Sequence, residues 1–127
     1  MVEVPKPGQK VRGSRSGAPI MALFDLLGRR WAMGVLWTLC LHGPSTFREL
    51  QHLCETISPA VLNQRLKELQ EARFVQKTPR GYAPTDLGER VQQQLVPLRE
   101  IAQLWARTLD KEKNLAATDA RRSAAGA

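Results

Sequence analysis

The sequence predicts a mainly α-helical fold with a small β-hairpin, a winged helix-turn-helix that is dimeric through its terminal helices. Three patterns predict it. Two short amphipathic helical segments meet at Ile57-Ser58-Pro59. A strand, a turn and a second strand follow within residues 74–84. A heptad-like apolar seam then runs from Val91 to Leu109.

The stretch from Thr46 to Ala72 organises the rest. Thr46 and Glu49 have capping-box spacing, which predicts a helix starting at Phe47. Phe47, Leu50, Cys54 and Ile57 recur at helical intervals and give it one apolar face. Ser58 is a good N-cap, and Pro59 fits a first helical position, where no N–H is needed. In the second helix Leu62, Leu66 and Leu69 fall at i, i+4 and i+7 and share an inward face. At about 100° per residue, Ala60, Gln64, Lys67 and Glu71 lie opposite, with Asn63 on the flank. Asn and Gln can pair with adenine edges, and Lys reaches guanine or phosphate. Such a face suits a groove-reading helix, although the solvated face of any small helical domain is compatible with the same pattern.

Upstream, Ile20 to Leu27 is apolar nearly all round except Asp25. One side can pack on its own domain; the other needs cover, so Leu23, Phe24 and Leu27 are candidates for a dimer contact. Gly28-Arg29-Arg30 interrupts this helix. Trp31 to Leu41 follows as a buried central helix, stopped by His42-Gly43-Pro44.

Downstream, Phe74 to Thr78 has strand character, Pro79-Arg80-Gly81 is a turn, and Tyr82-Ala83-Pro84 runs back. Pro84 keeps the return strand short. Lys77 and Arg80 put charge where a wing meets phosphates or the minor groove. Thr85 caps a long final helix. Its seam of Val91, Leu95, Leu98, Ala102, Trp105 and Leu109 predicts pairing with a second copy.

The chain has 127 residues and a net charge of +7. The expected layout is a flexible basic arm over 1–19, a folded domain over 20–110, and a frayed tail over 111–127. The two ends carry eight Lys/Arg against three Asp/Glu, and the middle eleven against nine. Residues 58–80 hold Arg65, Lys67, Arg73, Lys77 and Arg80 against Glu68 and Glu71, a local positive patch. Basic patches favour polyanions, and proteins that bind no nucleic acid also carry them.

Cys40 and Cys54 make no disulfide framework and read as buried reduced thiols of a cytoplasmic protein. No secretion signal is evident, and the longest apolar run, Trp31 to Leu41, is too short to span a membrane. His42 and His52 do not form a metal-ligand pair, and no zinc spacing, phosphate loop, dinucleotide fingerprint or nucleophile elbow is present. The expectation is a protein that is not an enzyme and has no cofactor.

From Asp25 to Trp105 the chain resembles the HxlR-type winged helix-turn-helix regulators, relatives of the MarR group. Leu27-Gly28-Arg29-Arg30-Trp31 is similar to that family's Gly-basic-Trp lead into its second helix. Phe47-Arg48-Glu49-Leu50, then Ile57-Ser58 with Leu62, Arg65-Leu66 and Leu69, resemble its helix-turn-helix. Tyr82, Thr85 and Gly88 resemble its wing exit; Leu95, Pro97-Leu98 and Trp105 resemble its dimer helix. Three departures stand out. Pro84 replaces a usual Leu. Ala72-Arg73-Phe74 stands where Asp/Glu-Gly-Leu is common. Ala18, before Pro19, occupies the position of the sensing Cys found in many members.

The resemblance implies a sequence-specific regulator of transcription, by default a repressor, binding double-stranded DNA as a homodimer on a pseudo-palindromic operator. Ser58, Ala60, Asn63, Gln64 and Lys67 would face the groove, Lys77 and Arg80 the flanking backbone, and Arg48 a phosphate. Any small-molecule effector is unspecified by the sequence. The alternative is a winged-helix protein-interaction module without specific DNA binding.

Overall fold

The structure, a computed structural model, describes residues 2–125. Among the described residues, five helices and one hairpin follow in order: α1 (Pro19–Leu27), α2 (Ala32–His42), α3 (Phe47–Leu53), α4 (Pro59–Glu71), β1 (Val75–Thr78), β2 (Gly81–Pro84) and α5 (Asp86–Ala125). This is the expected winged helix-turn-helix. The described residues form two separate units that divide between residues 92 and 93.

In the first unit, α2 supplies the centre of the core. Its Val35, Leu36 and Leu39 are buried against Leu50 of α3, Leu62, Leu66 and Leu69 of α4, and Val75 of β1. Burying one such leucine contributes about 1.5–3 kcal/mol, so the leucine spacing of α4 fixes which side of that helix faces inward.

The local rules hold at both helix starts. Thr46 Oγ1 accepts from the Glu49 N–H at 3.2 Å, and the Glu49 carboxylate accepts from the Thr46 N–H at 3.3 Å. Ser58 Oγ accepts from the Val61 N–H at 3.2 Å, with Pro59 in the first turn. One correction concerns Ile57. It reaches the core from the turn, because α3 ends at Leu53 and Glu55 takes a left-handed conformation (φ 56°) that redirects the chain. A second concerns α2, which starts at Ala32. Trp31 precedes it in the left-handed region (φ 74°), a strained placement for a side chain of that size.

The hairpin pairs Val75 with Pro84, Gln76 with Ala83, Lys77 with Tyr82 and Thr78 with Gly81. Pro84 closes the register at the strand end. Ser45 extends the hairpin by one residue: its N–H donates to Tyr82 O at 2.9 Å, and the Tyr82 N–H donates to Ser45 O at 2.8 Å. That approach explains Gly81, which has φ +117° and where a Cβ would meet Ser45 O at 2.4 Å.

The N-terminal segment differs from the flexible arm expected. Val4 is buried, the Gly8 N–H donates to Gly17 O at 2.8 Å, and Val11 and Ser14 bridge each other. The Arg12 N–H donates to Asp25 of α1 at 3.1 Å, and Lys6 pairs with Glu71 at 3.5 Å. Composition underrated this segment because its glycines at positions 8, 13 and 17 all adopt positive φ and build turns.

In the second unit, α5 is helical through Pro97 and on to Ala125, so the expected frayed tail is helical as far as it is described. Residues 126 and 127 lie outside the described residues. Among the described residues, no helix is long and apolar enough to cross a membrane.

Candidate nucleic-acid interface

The apolar core holds α3 and α4 against α2 and leaves one side of α4 uncovered. Leu62, Leu66 and Leu69 are buried, while Ser58, Ala60, Asn63, Gln64 and Lys67 are exposed. Arg48 is exposed on α3, Lys77 on β1 and Arg80 in the hairpin turn. The Lys77 ammonium lies 5.3 Å from the centre of the Tyr82 ring, a cation–π contact that steadies it on the hairpin. Thr78 Oγ1 accepts from the Arg80 N–H at 3.2 Å and donates to Gly81 O at 2.8 Å, which fixes the turn that carries Arg80.

The helical wheel needs one adjustment. Glu68 is 3% exposed, so the buried arc of α4 extends to its side of the helix. Ala60, Asn63 and Lys67 then face outward most directly, and Gln64 sits at the rim beside Glu68. The Gln64 Nε2 donates to Glu68 Oε2 at 3.4 Å.

Glu68 is the functional-site residue that sequence reasoning missed. Its carboxylate is paired with the guanidiniums of Arg29, before α2, and Arg65, one turn back on α4. Arg65 Nε also donates to Arg30 O at 2.7 Å. The cluster therefore fastens α4 to the strained Arg29–Trp31 loop, and each charge has a partner, as burial requires. The Arg65–Glu68 spacing of three was the available signal; the remote Arg29 offered none. Arg65, counted in the local positive patch, is thus committed to internal contacts. Lys67, Arg73, Lys77 and Arg80 remain exposed cations of that patch.

The candidate pairing residues divide. Phe24 of α1 is 60% exposed, Leu23 is half-buried, and Leu27 is buried in its own unit at 8%, so Leu27 is not part of an open face. Leu98, Ala102, Trp105 and Leu109 of α5 are exposed, and Leu95 is half-buried. Ile101, Leu104 and Leu115 are also exposed, which makes the apolar stripe wider than the heptad seam alone.

Burial pushes the Cys40 thiol up to about 11, with the Glu89 carboxylate adding to the effect. Burial likewise raises Cys54, against a hydrogen bond with Thr38 that lowers it. Both thiols are held un-ionised at neutral pH and are poor nucleophiles. Ala18 caps α1 with no thiol. Among the described residues, no group of three or more His, Cys, Asp or Glu is placed to hold a metal ion. A largely apolar cleft of about 580 Å³ lies between the N-terminal segment, α1, the end of α4 and the start of α5, lined by Leu23, Leu26, Phe74 and Val91 among others.

A protein of Bacillus subtilis (strain 168), the HTH-type transcriptional regulator YodB, is 37% identical over 54 residues, which are 42% of this chain and 47% of that protein. The match thus spans about half of that relative's length. The crystal structure of quinone-bound YodB from B. subtilis is similar with a TM-score of 0.57 and 30% identity, covering 70% of this chain and 96% of that one. The crystal structure of a possible HxlR family transcriptional factor from Thermoplasma volcanium GSS1 is similar with a TM-score of 0.59 and 25% identity, covering 67% of this chain and 82% of that one. The HxlR-like helix-turn-helix family model matches residues 26–110. That span takes in the helix pair, the hairpin and the first part of α5, and the chain belongs to the HxlR-like helix-turn-helix family.

Proposed function

We propose that the protein is a sequence-specific, double-stranded DNA-binding regulator of transcription, a cytoplasmic repressor that acts as a homodimer on a pseudo-palindromic operator. The observation that carries this reading is the two-sided character of α4: three buried leucines on one side, and exposed Asn63 and Lys67, with Gln64 at the rim, on the other. α4 enters the major groove. Ser58, Ala60, Asn63, Gln64 and Lys67 face the bases or adjoining phosphates, and the N–H groups near Ser58 favour an anion. Arg48 contacts a phosphate, and Lys77 and Arg80 contact the flanking backbone.

The exposed apolar stripe of α5, with Leu95, Leu98, Ala102, Trp105 and Leu109, is one pairing surface, and Phe24 and Leu23 of α1 are a second. Exposed apolar area of this extent marks an interaction site. YodB from B. subtilis has been crystallised with a quinone, an electrophilic compound, bound. In this chain Ala18 and two un-ionised thiols give such a compound no ready thiolate, so thiol capture is not part of the proposed mechanism.

A duplex titration at two salt concentrations tests the proposal. The expected result is tight binding to a selected duplex that weakens steeply as salt rises, with much weaker binding to a scrambled one. Equal affinity for both duplexes would instead support a protein-interaction module with basic ends.

A further inference from the structure

A glutamine amide has two faces, and which one it turns to a base edge decides what it can read. Its oxygen accepts and its nitrogen donates two hydrogens. Free to rotate, it serves either role. Gln64 is not free. Its Nε2 donates to Glu68 Oε2 at 3.4 Å. Glu68 is ion-paired with Arg29 and Arg65 and offers only acceptors. Turning the Gln64 amide over would set its oxygen against a carboxylate oxygen, two acceptors facing each other. The buried cluster therefore favours one amide orientation.

We infer that Glu68 is a specificity-positioning residue, which holds the Gln64 amide so that it presents its carbonyl oxygen with its second N–H and selects adenine. This rests on α4 reading the major groove. With one hydrogen given to Glu68, the oxygen and the hydrogen beside it remain on the outward edge. Adenine offers the N6 donor and N7 acceptor that match this pair. Cytosine offers only a donor, and satisfies half of it. Guanine presents two acceptors, O6 and N7, and so sets one of them against the Gln64 oxygen; thymine offers only the acceptor O4, which the N–H can use, and like cytosine it satisfies half of the pair. Arg29 and Arg65 act one step further back: they hold Glu68 in its place and leave it nothing to donate.

Selection from random duplexes with the full chain, wild type and Gln64→Ala, tests this. Gln64→Ala should lose preference at one position of each half-site, and the wild type should choose adenine there over guanine or thymine by roughly tenfold. Replacing that adenine by purine, which lacks the N6 amino group, should weaken wild-type binding by a similar factor. In Glu68→Gln one carboxylate oxygen becomes a donor, so Gln64 can turn over. The adenine and guanine affinities at that position should then converge, while the base preferences at the other positions stay as in the wild type.

Guanine or thymine chosen by the wild type at that position overturns the inference, as does a Gln64→Ala selection identical to wild type. A Glu68→Gln loss spread evenly over all positions also overturns it, because it assigns Glu68 a structural role only. If Glu68→Gln fails to melt cooperatively, the purine substitution with wild-type protein decides. A wild type that selects no duplex removes the regulator reading itself, which is a separate outcome.

Discussion

Arg73 shows how one residue departs from the pattern around it. It follows the last residue capping α4, in the left-handed region at φ 71°, where the family's usual glycine would sit without strain. The backbone there closes α4 with two bonds: the Arg73 N–H donates to Gln70 O at 3.0 Å and the Phe74 N–H to Leu69 O at 2.9 Å. Both bonds are compatible with glycine. Arg73→Gly should therefore stabilise the fold by roughly 0.5–1 kcal/mol, the left-handed penalty less glycine's greater freedom when unfolded. Urea denaturation measures this; a loss of stability would mean that the Arg73 side chain contributes more than its backbone strain costs. Cys40 gives a pH prediction. Its thiol ionises near the ordinary 9.0 when unfolded and at about 11 when folded. The neutral form is thus the one the fold favours. Its contribution to stability is present below pH 9 and falls away as pH rises toward 11. Cys40→Ser should flatten the alkaline decline in melting temperature over that window, and an undiminished decline would place its origin elsewhere.

At the scale of elements, the hairpin makes the cleanest separation between positioning and reading. Arg80 is exposed at a turn fixed by Thr78, so its loss leaves the fold intact. Arg80→Ala should weaken binding to all duplexes alike and reduce the salt slope by about one per protomer, with base preference unchanged. A changed preference would mean that the hairpin reads sequence. Legibility follows the range of the interactions. The starts of α3 and α4 were readable because caps act over three residues, as Thr46 with Glu49 and Ser58 with Val61 show. The leucine face of α4 was readable because its period is local. Not readable were the Ser45–Tyr82 bridge, the Arg29–Glu68 pair and the Lys6–Glu71 pair, which join residues 37, 39 and 65 positions apart. Nor could periodicity reveal that Ile57 lies beyond α3, since a left-handed Glu55 reverses the chain without a glycine to announce it.

At the scale of the whole molecule, what matters is how many copies bind at once. The proposed pairing surface is the exposed apolar stripe on α5, where Trp105 is 67% exposed. Trp105→Glu should shift the protein to monomers in sedimentation at micromolar concentration. It should also weaken operator binding by roughly 100-fold or more, since each half-site would then bind without its tethered neighbour. Unaltered sedimentation would move the pairing surface elsewhere. The most direct test of groove reading by α4 is methylation interference on a selected duplex. Guanine N7 lies in the major groove and adenine N3 in the minor. Two clusters of N7 interference, centred about one helical turn (~34 Å) or a multiple of it apart, are the expected pattern, and Lys67→Ala should thin both clusters together. Interference confined to adenine N3, or absent from both grooves while binding persists, would contradict it.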